Sequence, residues 1–215
     1  MYEDKKRESG CLDFDDLLVS WRELLAKSET VKSRLAKQFQ YILVDEFQDT
    51  NVLQADIVSY LASHHNNLLV VGDDAQSIYS FRAANVRNIL DFEKRFPNTR
   101  TYRLEENYRS VPEILEVANA SIVHNENRLD KTLRTTRLSA ARPRLVFAPS
   151  VREEAKTIAD AIDSLLFGGM PAENIAVLFR AAYQSQALEF ELLRRGHTYE
   201  YRGGLRFFER AHIKD

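Results

Sequence analysis

Tyr41-Ile42-Leu43-Val44-Asp45-Glu46-Phe47-Gln48-Asp49-Thr50 joins a short apolar, β-rich run to two adjacent acids. Such a run reads as a buried strand that delivers Asp45 and Glu46 at its carboxyl end, the end at which open α/β sheets bind ligands. A second run, Leu68-Leu69-Val70-Val71, ends in the same manner in Gly72-Asp73-Asp74-Ala75-Gln76. Two neighbouring strands would therefore aim polar groups at one crevice.

Outward from these runs, strand and helix patterns alternate. Upstream, Leu17, Leu18, Trp21, Leu24 and Leu25 repeat at helical spacing behind a capping Asp13, and a more polar helix is expected over Ser28 to Lys37. Between the two strands, Leu53, Ile57, Tyr60 and Leu61 mark a helix that ends in the turn His64-His65-Asn66-Asn67. Adjacent histidines without further ligands at metal spacing read as a polar turn. Residues 75 to 95 look helical and Tyr102-Arg103-Leu104 looks like a strand; Ser110-Val111-Pro112-Glu113 resembles a capping box opening a helix to about Asn125. Further strands are expected at 145–148, 175–179 and 198–201. They alternate with a helix opened by Ser150-Val151-Arg152-Glu153 and stopped by Gly168-Gly169, and with a helix over 188–195 ended by Gly196. The expected fold class is α/β, with parallel sheet layered by helices and no internal repeat.

The composition, 44% hydrophobic and 29% charged over 215 residues, is that of a globular protein and excludes disordered and collagen-like classes. The length suits one large domain or two small ones. No apolar run approaches a membrane span, and Met1-Tyr2-Glu3-Asp4-Lys5-Lys6-Arg7 leads into no signal-peptide core, so a cytoplasmic location is expected. The one cysteine, Cys11, cannot form an internal disulfide and is given no role. A net charge of −2 does not advertise nucleic-acid binding, yet residues 128 to 144 hold six basic residues against one acid. That run is a solvated basic face or, on a sharper reading, a phosphate-contact surface.

Adjacent Asp and Glu at a strand end have a specific chemistry. An aspartate can hold Mg²⁺, usually through water, while the neighbouring glutamate orients or deprotonates an attacking water. Gln76 could sense a γ-phosphate by donating a hydrogen bond, Arg109 could neutralise charge on a transferring phosphoryl group, and Tyr108 offers a ring for stacking on a base. Tyr79, Phe81 and Arg82 interleave rings with a cation, as single-stranded nucleic-acid sites do; on spacing alone Tyr79 and Phe81 read as helix-packing residues.

Together these segments resemble the UvrD/Rep-type superfamily 1 DNA helicases. Asp45 to Thr50 is similar to motif II of that family, Val71 to Arg82 to motif III, and Leu104-Glu105-Glu106-Asn107-Tyr108-Arg109-Ser110 to motif IV. Asp13 to Leu18 resembles the helix before motif II. Residues 175–180 with Gln184-Ser185, then Gly203-Gly204, Phe207 to Arg210 and Ile213 to Asp215, resemble the second motor lobe up to its insertion point. The resemblance implies two incomplete RecA-like lobes, of the P-loop NTPase class, over residues 1–98 and 99–215. It also implies ATP and Mg²⁺ as cofactors, with Asp45 on Mg²⁺, Glu46 as catalytic base, Gln76 as γ-phosphate sensor, Arg109 on the γ-phosphate and Tyr108 on the adenine. Tyr79, Phe81, Arg82 and Arg180 would line the path of single-stranded DNA. The implied parent activity is ATP-driven 3′-to-5′ translocation and unwinding, acting at single/double-strand junctions in repair, replication or recombination.

Several features depart from the family pattern. No Gly-x-x-x-x-Gly-Lys-Ser/Thr occurs, so the phosphate-cradling loop expected upstream is missing and the isolated chain is expected to hydrolyse ATP negligibly. The later motifs are missing as well. Ala83 replaces a glycine common in motif III, and His212 stands where an acid is usual. The competing readings are a non-enzymatic module that keeps the fold to bind DNA or protein, and a Mg²⁺-dependent nuclease built on Asp45, Glu46, Asp49 and Asp73.

Overall fold

A computed structural model describes residues 2–202 of the chain. Gly203-Gly204, the Phe207–Arg210 and Ile213–Asp215 segments and His212 lie outside the described residues. The chain divides into two compact units, Met1–Arg142 and Pro143–Asp215.

The first unit begins with α1 (Tyr2–Ser9), which the sequence pattern does not announce, followed by α2 (Phe14–Lys27) and α3 (Glu29–Gln38). Asp13 closes a full capping box on α2: its side chain accepts from the Asp16 N–H while the Asp16 side chain accepts from the Asp13 N–H. Lys6 reaches across from α1 to Asp13 and Asp16 at 2.9 and 2.8 Å; the Asp16 backbone N–H, and after it Lys6, hold the Asp13 carboxyl below its ordinary range. Ser28, expected as the first residue of α3, caps it instead.

Two strands form, β1 (Ile42–Val44) and β2 (Leu68–Val70), paired in parallel with Ile42 opposite Leu68 and Val44 opposite Val70. The crossover between them is α4 (Val52–Ala62), capped by Asn51 with a reciprocal bond from Gln54. Val44, Leu68 and Val70 pack with Phe47, Ala55, Ile89 and Phe92 in the core. Phe47 and Phe92 meet edge to face at 5.6 Å between ring centres. The alternate strand positions turn the other way, and Leu43 is 73% exposed. The histidine turn is held by its own side chains: the Asn67 N–H donates to His65 Nδ1 at 2.9 Å, and His65 Nε2 lies 2.9 Å from the Phe39 carbonyl.

Downstream of β2 the continuous helix expected over 75–95 is broken. Single 3₁₀ turns form at Asp74–Gln76 and Ser80–Arg82, and two one-turn helices follow, α5 (Arg87–Leu90) and α6 (Phe92–Arg95). The breaks have local causes. Asp73 caps the first turn by accepting from the Ala75 N–H, and Ala83 adopts a left-handed conformation, φ 63°, that a helix cannot pass through. α7 (Pro112–Ile122) starts one residue later than the expected capping box, with Val111 in the cap position and no side-chain bond from Ser110.

In the second unit, α8 (Val151–Phe167) is capped by Ser150, ends at Gly168 with Gly169 at φ 86°, and packs on α9 (Gln186–Arg194). Its buried contacts are Ala155 and Ala159 against Leu188 and Leu192; of the expected stripe, Ile158 and Ile162 are partly buried and Leu165 is exposed. Small residues at the crossing let the two helices approach closely.

The expected layered parallel sheet is seen only in part. Among the described residues, regular strand is confined to β1 and β2. Tyr102–Leu104, 145–148, 175–179 and 198–201 carry no strand assignment. Many of their apolar side chains are exposed, Leu178 at 89% and Phe147 at 86%, whereas Tyr199 packs against the α8–α9 core.

Candidate functional site

β1 and β2 deliver their polar ends side by side. The Phe47 N–H donates to the Val71 carbonyl at 2.9 Å and the Val71 N–H donates to the Val44 carbonyl at 2.8 Å, which carries the parallel pairing past the last regular residues. Asp45 and Glu46 stand exposed at this edge. One oxygen of Asp45 accepts the Glu46 N–H at 2.9 Å. Glu46 itself is left-handed, φ 50° and ψ 42°, a conformation that disfavours any residue with a Cβ by about 1–2 kcal/mol. Strain of this kind at a solvent-facing acid is a hallmark of functional turns.

The side chain that answers the strain is Gln48, 1% exposed. Its Nε2 donates to Glu46 Oε2 at 2.7 Å, and its Oε1 accepts the Asp73 N–H at 3.0 Å. A hydrogen bond to a carboxylate contributes about 1.5–3 kcal/mol, enough to offset the left-handed turn. Gly72 makes this approach possible. A Cβ there would lie 2.6 Å from Gln48 Oε1 and 2.7 Å from Ile89 Cδ1.

Asp73 continues the chain of bonds. It accepts from the Ala75 N–H at 2.9 Å, from Gln76 Nε2 at 2.9 Å and from Lys131 Nζ. Burial resists ionisation of Asp73, but the bonds from Lys131 and Gln76 outweigh it and the carboxyl sits below its ordinary value. Lys131 also pairs with the buried Asp74 at 3.2 Å, whose other oxygen accepts the Leu129 N–H at 3.1 Å. The Gln76 amide spends one N–H on Asp73 and keeps a second donor.

Tyr79, Phe81 and Arg82 form a surface cluster. The rings lie 5.9 Å apart and the Arg82 guanidinium stands 5.5 Å from each ring centre. Phe81 is 65% exposed, so the two rings are not helix-packing residues, as spacing alone had indicated. Tyr108 (77% exposed) and Arg109 project from a turn in which Asn107 Oδ1 accepts the N–H groups of Arg109 and Ser110 at 2.9 and 2.7 Å. That turn is anchored by a parallel bridge of Glu106 with Arg134, in which the Asn107 N–H donates to the Arg134 carbonyl at 2.7 Å and the Arg134 N–H to the Glu105 carbonyl at 2.9 Å. Arg180 is exposed in the second unit.

The basic run is thus partly spent on the protein itself. Arg128 donates to the Val123 and Asn125 carbonyls, Lys131 pairs with Asp73 and Asp74, Arg134 pairs with Glu105, and Arg137 donates to the Tyr108 carbonyl. Gln48 and Asn107 have no individual role in the sequence analysis, and Lys131 enters there only as one of the basic run. For Gln48 the available signal was its place in a polar cluster between an apolar strand and a helix; nothing in the sequence singles Lys131 out from the other cations of the run.

The donor set tests a magnesium site directly. No three His, Cys, Asp or Glu side chains converge on one point among the described residues. Asp45 offers a carboxylate with one oxygen taken up by the backbone, which suits a hydrated Mg²⁺ held by one or two carboxylates and substrate phosphates.

A parallel two-strand edge carrying acids on one strand and an amide on its neighbour stands at the carboxyl ends of the strands, where open α/β sheets bind ligands. The comparisons specify it. Residues 1–97 match the UvrD/REP helicase N-terminal domain and residues 102–215 match the UvrD-like helicase C-terminal domain, so the chain belongs to the UvrD-like helicase family. It is 43% identical over 208 residues to a probable DNA helicase II homolog of Rickettsia felis, covering 96% of this chain and 32% of the relative. It is 41% identical to the ATP-dependent DNA helicase PcrA of Leuconostoc citreum and 40% identical to DNA helicase II of Haemophilus influenzae, in each case over 100% of this chain and 29% of the relative. The chain therefore spans about a third of the length of these relatives. A family membership of this kind implies a RecA-like α/β fold, of which β1, α4 and β2 are the parallel unit seen here. No helix among the described residues is long and apolar enough to cross a membrane.

Proposed function

We propose that the chain supplies the hydrolytic edge and part of the DNA path of an ATP-dependent DNA helicase that moves 3′ to 5′ on single-stranded DNA and unwinds duplex at single/double-strand junctions. The lobes divide near residue 98. Glu46 takes a proton from water, whose oxygen bonds to the γ-phosphorus as the bond to the bridging oxygen breaks, leaving ADP and phosphate. Asp45 would hold a hydrated Mg²⁺, which when bound would supply charge neutralisation at the phosphates. Gln76 donates its second N–H to the γ-phosphate, Arg109 neutralises the transferring group and Tyr108 stacks on the adenine. Tyr79, Phe81, Arg82 and Arg180 contact single-stranded DNA, for which the exposed, cation-topped ring pair is suited. Repair, replication and recombination are the processes that need such a motor.

The observation that carries this reading is the unbroken set of bonds from Glu46 through Gln48 to Asp73 and Gln76. It connects a water-activating acid on one strand end to a phosphate-sensing amide on the next.

ATP hydrolysis tests it, with and without single-stranded DNA, in this chain and in the chain set into the Haemophilus influenzae helicase in place of its matched segment. The expected result is negligible turnover by the 215-residue chain and DNA-stimulated turnover by the chimera, lost at least 100-fold in Glu46→Gln. DNA binding by a chimera without turnover would favour a binding module instead.

A further inference from the structure

We propose that Gln48 is a positioning residue of the hydrolytic site, clamping the Glu46 carboxylate to the Gly72–Asp73 turn so that the acid and the Gln76 loop keep one geometry. The proposal rests on the reading of Glu46 as the water-activating acid. Three observations carry it. Gln48 is buried while the acid it serves is exposed. Both ends of its amide are used, one donating to Glu46 Oε2 and the other accepting from the Asp73 N–H. The room for Oε1 exists only because residue 72 lacks a Cβ.

The residue type follows from these demands. The site needs a donor toward a carboxylate and an acceptor toward a backbone N–H at the two tips of one planar group. Glutamate would accept from Asp73 but would set a second negative charge against Glu46. Lysine or arginine would donate to Glu46 but could accept nothing. Asparagine is one methylene short of spanning the gap. With Oε2 engaged by Gln48, Glu46 Oε1 has no partner among the described residues and is the oxygen open to a water proton.

Two measurements test the role. In the ¹⁵N-labelled 215-residue chain, the Gln48 side-chain amide should exchange slowly with solvent and lose that protection in Glu46→Ala; fast exchange in the unmodified chain overturns the clamp. In the hydrolysing chimera, Gln48→Glu keeps the acceptor for Asp73 and removes the donor. Turnover should fall on the order of 100-fold while the KM for ATP stays within about twofold. The acid limb of the pH–rate profile should move up by about one unit or more, because two adjacent carboxylates share a proton. Gln48→Met should lower turnover without that upward movement. A loss of folded protein alone would reduce turnover in both variants and leave the limb in place, and that result counts against the proposal. If Glu46→Gln abolishes turnover while both Gln48 variants keep it, the clamp is wrong and the parent reading stands. If turnover is absent, or indifferent to Glu46→Gln, the parent reading fails and the Gln48 role with it.

Discussion

After β1 the chain turns through Glu46 at φ 50°; on the way out of the β2 junction it turns through Ala83 at φ 63°. Both residues occupy a region that favours glycine, and each conformation disfavours the folded chain by about 1–2 kcal/mol. They differ in what the strain accompanies. At Glu46 it places a carboxylate at the sheet edge, and Gln48 holds that carboxylate with a buried hydrogen bond. At Ala83 the exposed methyl group makes no polar contact, and the turn is closed only by backbone bonds, from the Ala83 N–H to the Ser80 carbonyl at 3.0 Å and from the Ala84 N–H to the Tyr79 carbonyl at 3.3 Å. At the first junction the strain accompanies a side chain with chemistry and a bond that holds it, and at the second nothing on the side chain offsets it.

The sharpest way to break the first junction without touching its acids is Gly72→Ala. The new methyl would sit 2.6 Å from Gln48 Oε1, 2.7 Å from Ile89 Cδ1 and 3.3 Å from the Phe47 nitrogen. Neither Gln48 nor Ile89 can yield cheaply, since one is bonded at both ends and the other is core. A loss of about 3 kcal/mol is expected, at the upper end of overpacking effects. Urea unfolding followed by the fluorescence of Trp21, the one tryptophan and a member of the first unit, measures it. Gly10→Ala is the control. It has positive φ but nothing within 4 Å, so only the backbone penalty of about 1 kcal/mol should remain. Equal losses in the two variants would mean that the Gly72 packing is not tight.

Lys131→Met tests the second junction from outside. Lys131 is the cation paired with Asp73 and with Asp74, and Asp74 is nearly fully buried. Removing one partner of a buried pair leaves a charge in a poor environment. The Leu129 N–H still serves Asp74, and the Ala75 and Gln76 donors still serve Asp73, so the expected loss is about 2 kcal/mol, smaller than a bare buried charge would give. The double variant Lys131→Met with Asp73→Asn should recover part of that loss. Additive losses would show that the pair is not coupled.

How far the sequence revealed these features depends on the range of the forces involved. β1, α4 and β2 were legible because apolar runs of strand length stop at polar residues, and the caps at Asp13 and Ser150 were legible because a cap is a bond between residues three apart. Strands at 102–104, 145–148 and 175–179 have the right composition, yet a strand exists only where a neighbour accepts its ladder, and pattern alone does not contain the neighbour. The break between Gln76 and Arg87 depended on Asp73 and Ala83 adopting local conformations that compete with helix, a choice that helical spacing of apolar residues does not register. At the site, the acids and the amide of Gln76 stood out by type. Gln48 and Lys131 did not, because their importance lies in partners 25 and 58 residues away.

The smallest expected effect is the most direct test of the contrast between the junctions. Ala83→Gly removes the Cβ that disfavours φ 63° and so relieves about 1–2 kcal/mol in the folded chain. It also frees the unfolded chain, which opposes the gain by roughly 0.5–1 kcal/mol. The net is a stabilisation of about 0.5–1 kcal/mol in the same Trp21-detected unfolding. The parallel substitution Glu46→Gly removes the same backbone strain but also the carboxylate that Gln48 donates to, leaving a buried amide N–H without its acceptor at a loss of about 1–3 kcal/mol. One glycine should therefore stabilise the first unit and the other destabilise it. If both stabilise, the Gln48 bond contributes too little to offset the turn. If both destabilise, the left-handed turn at Ala83 is held by contacts that depend on its methyl group.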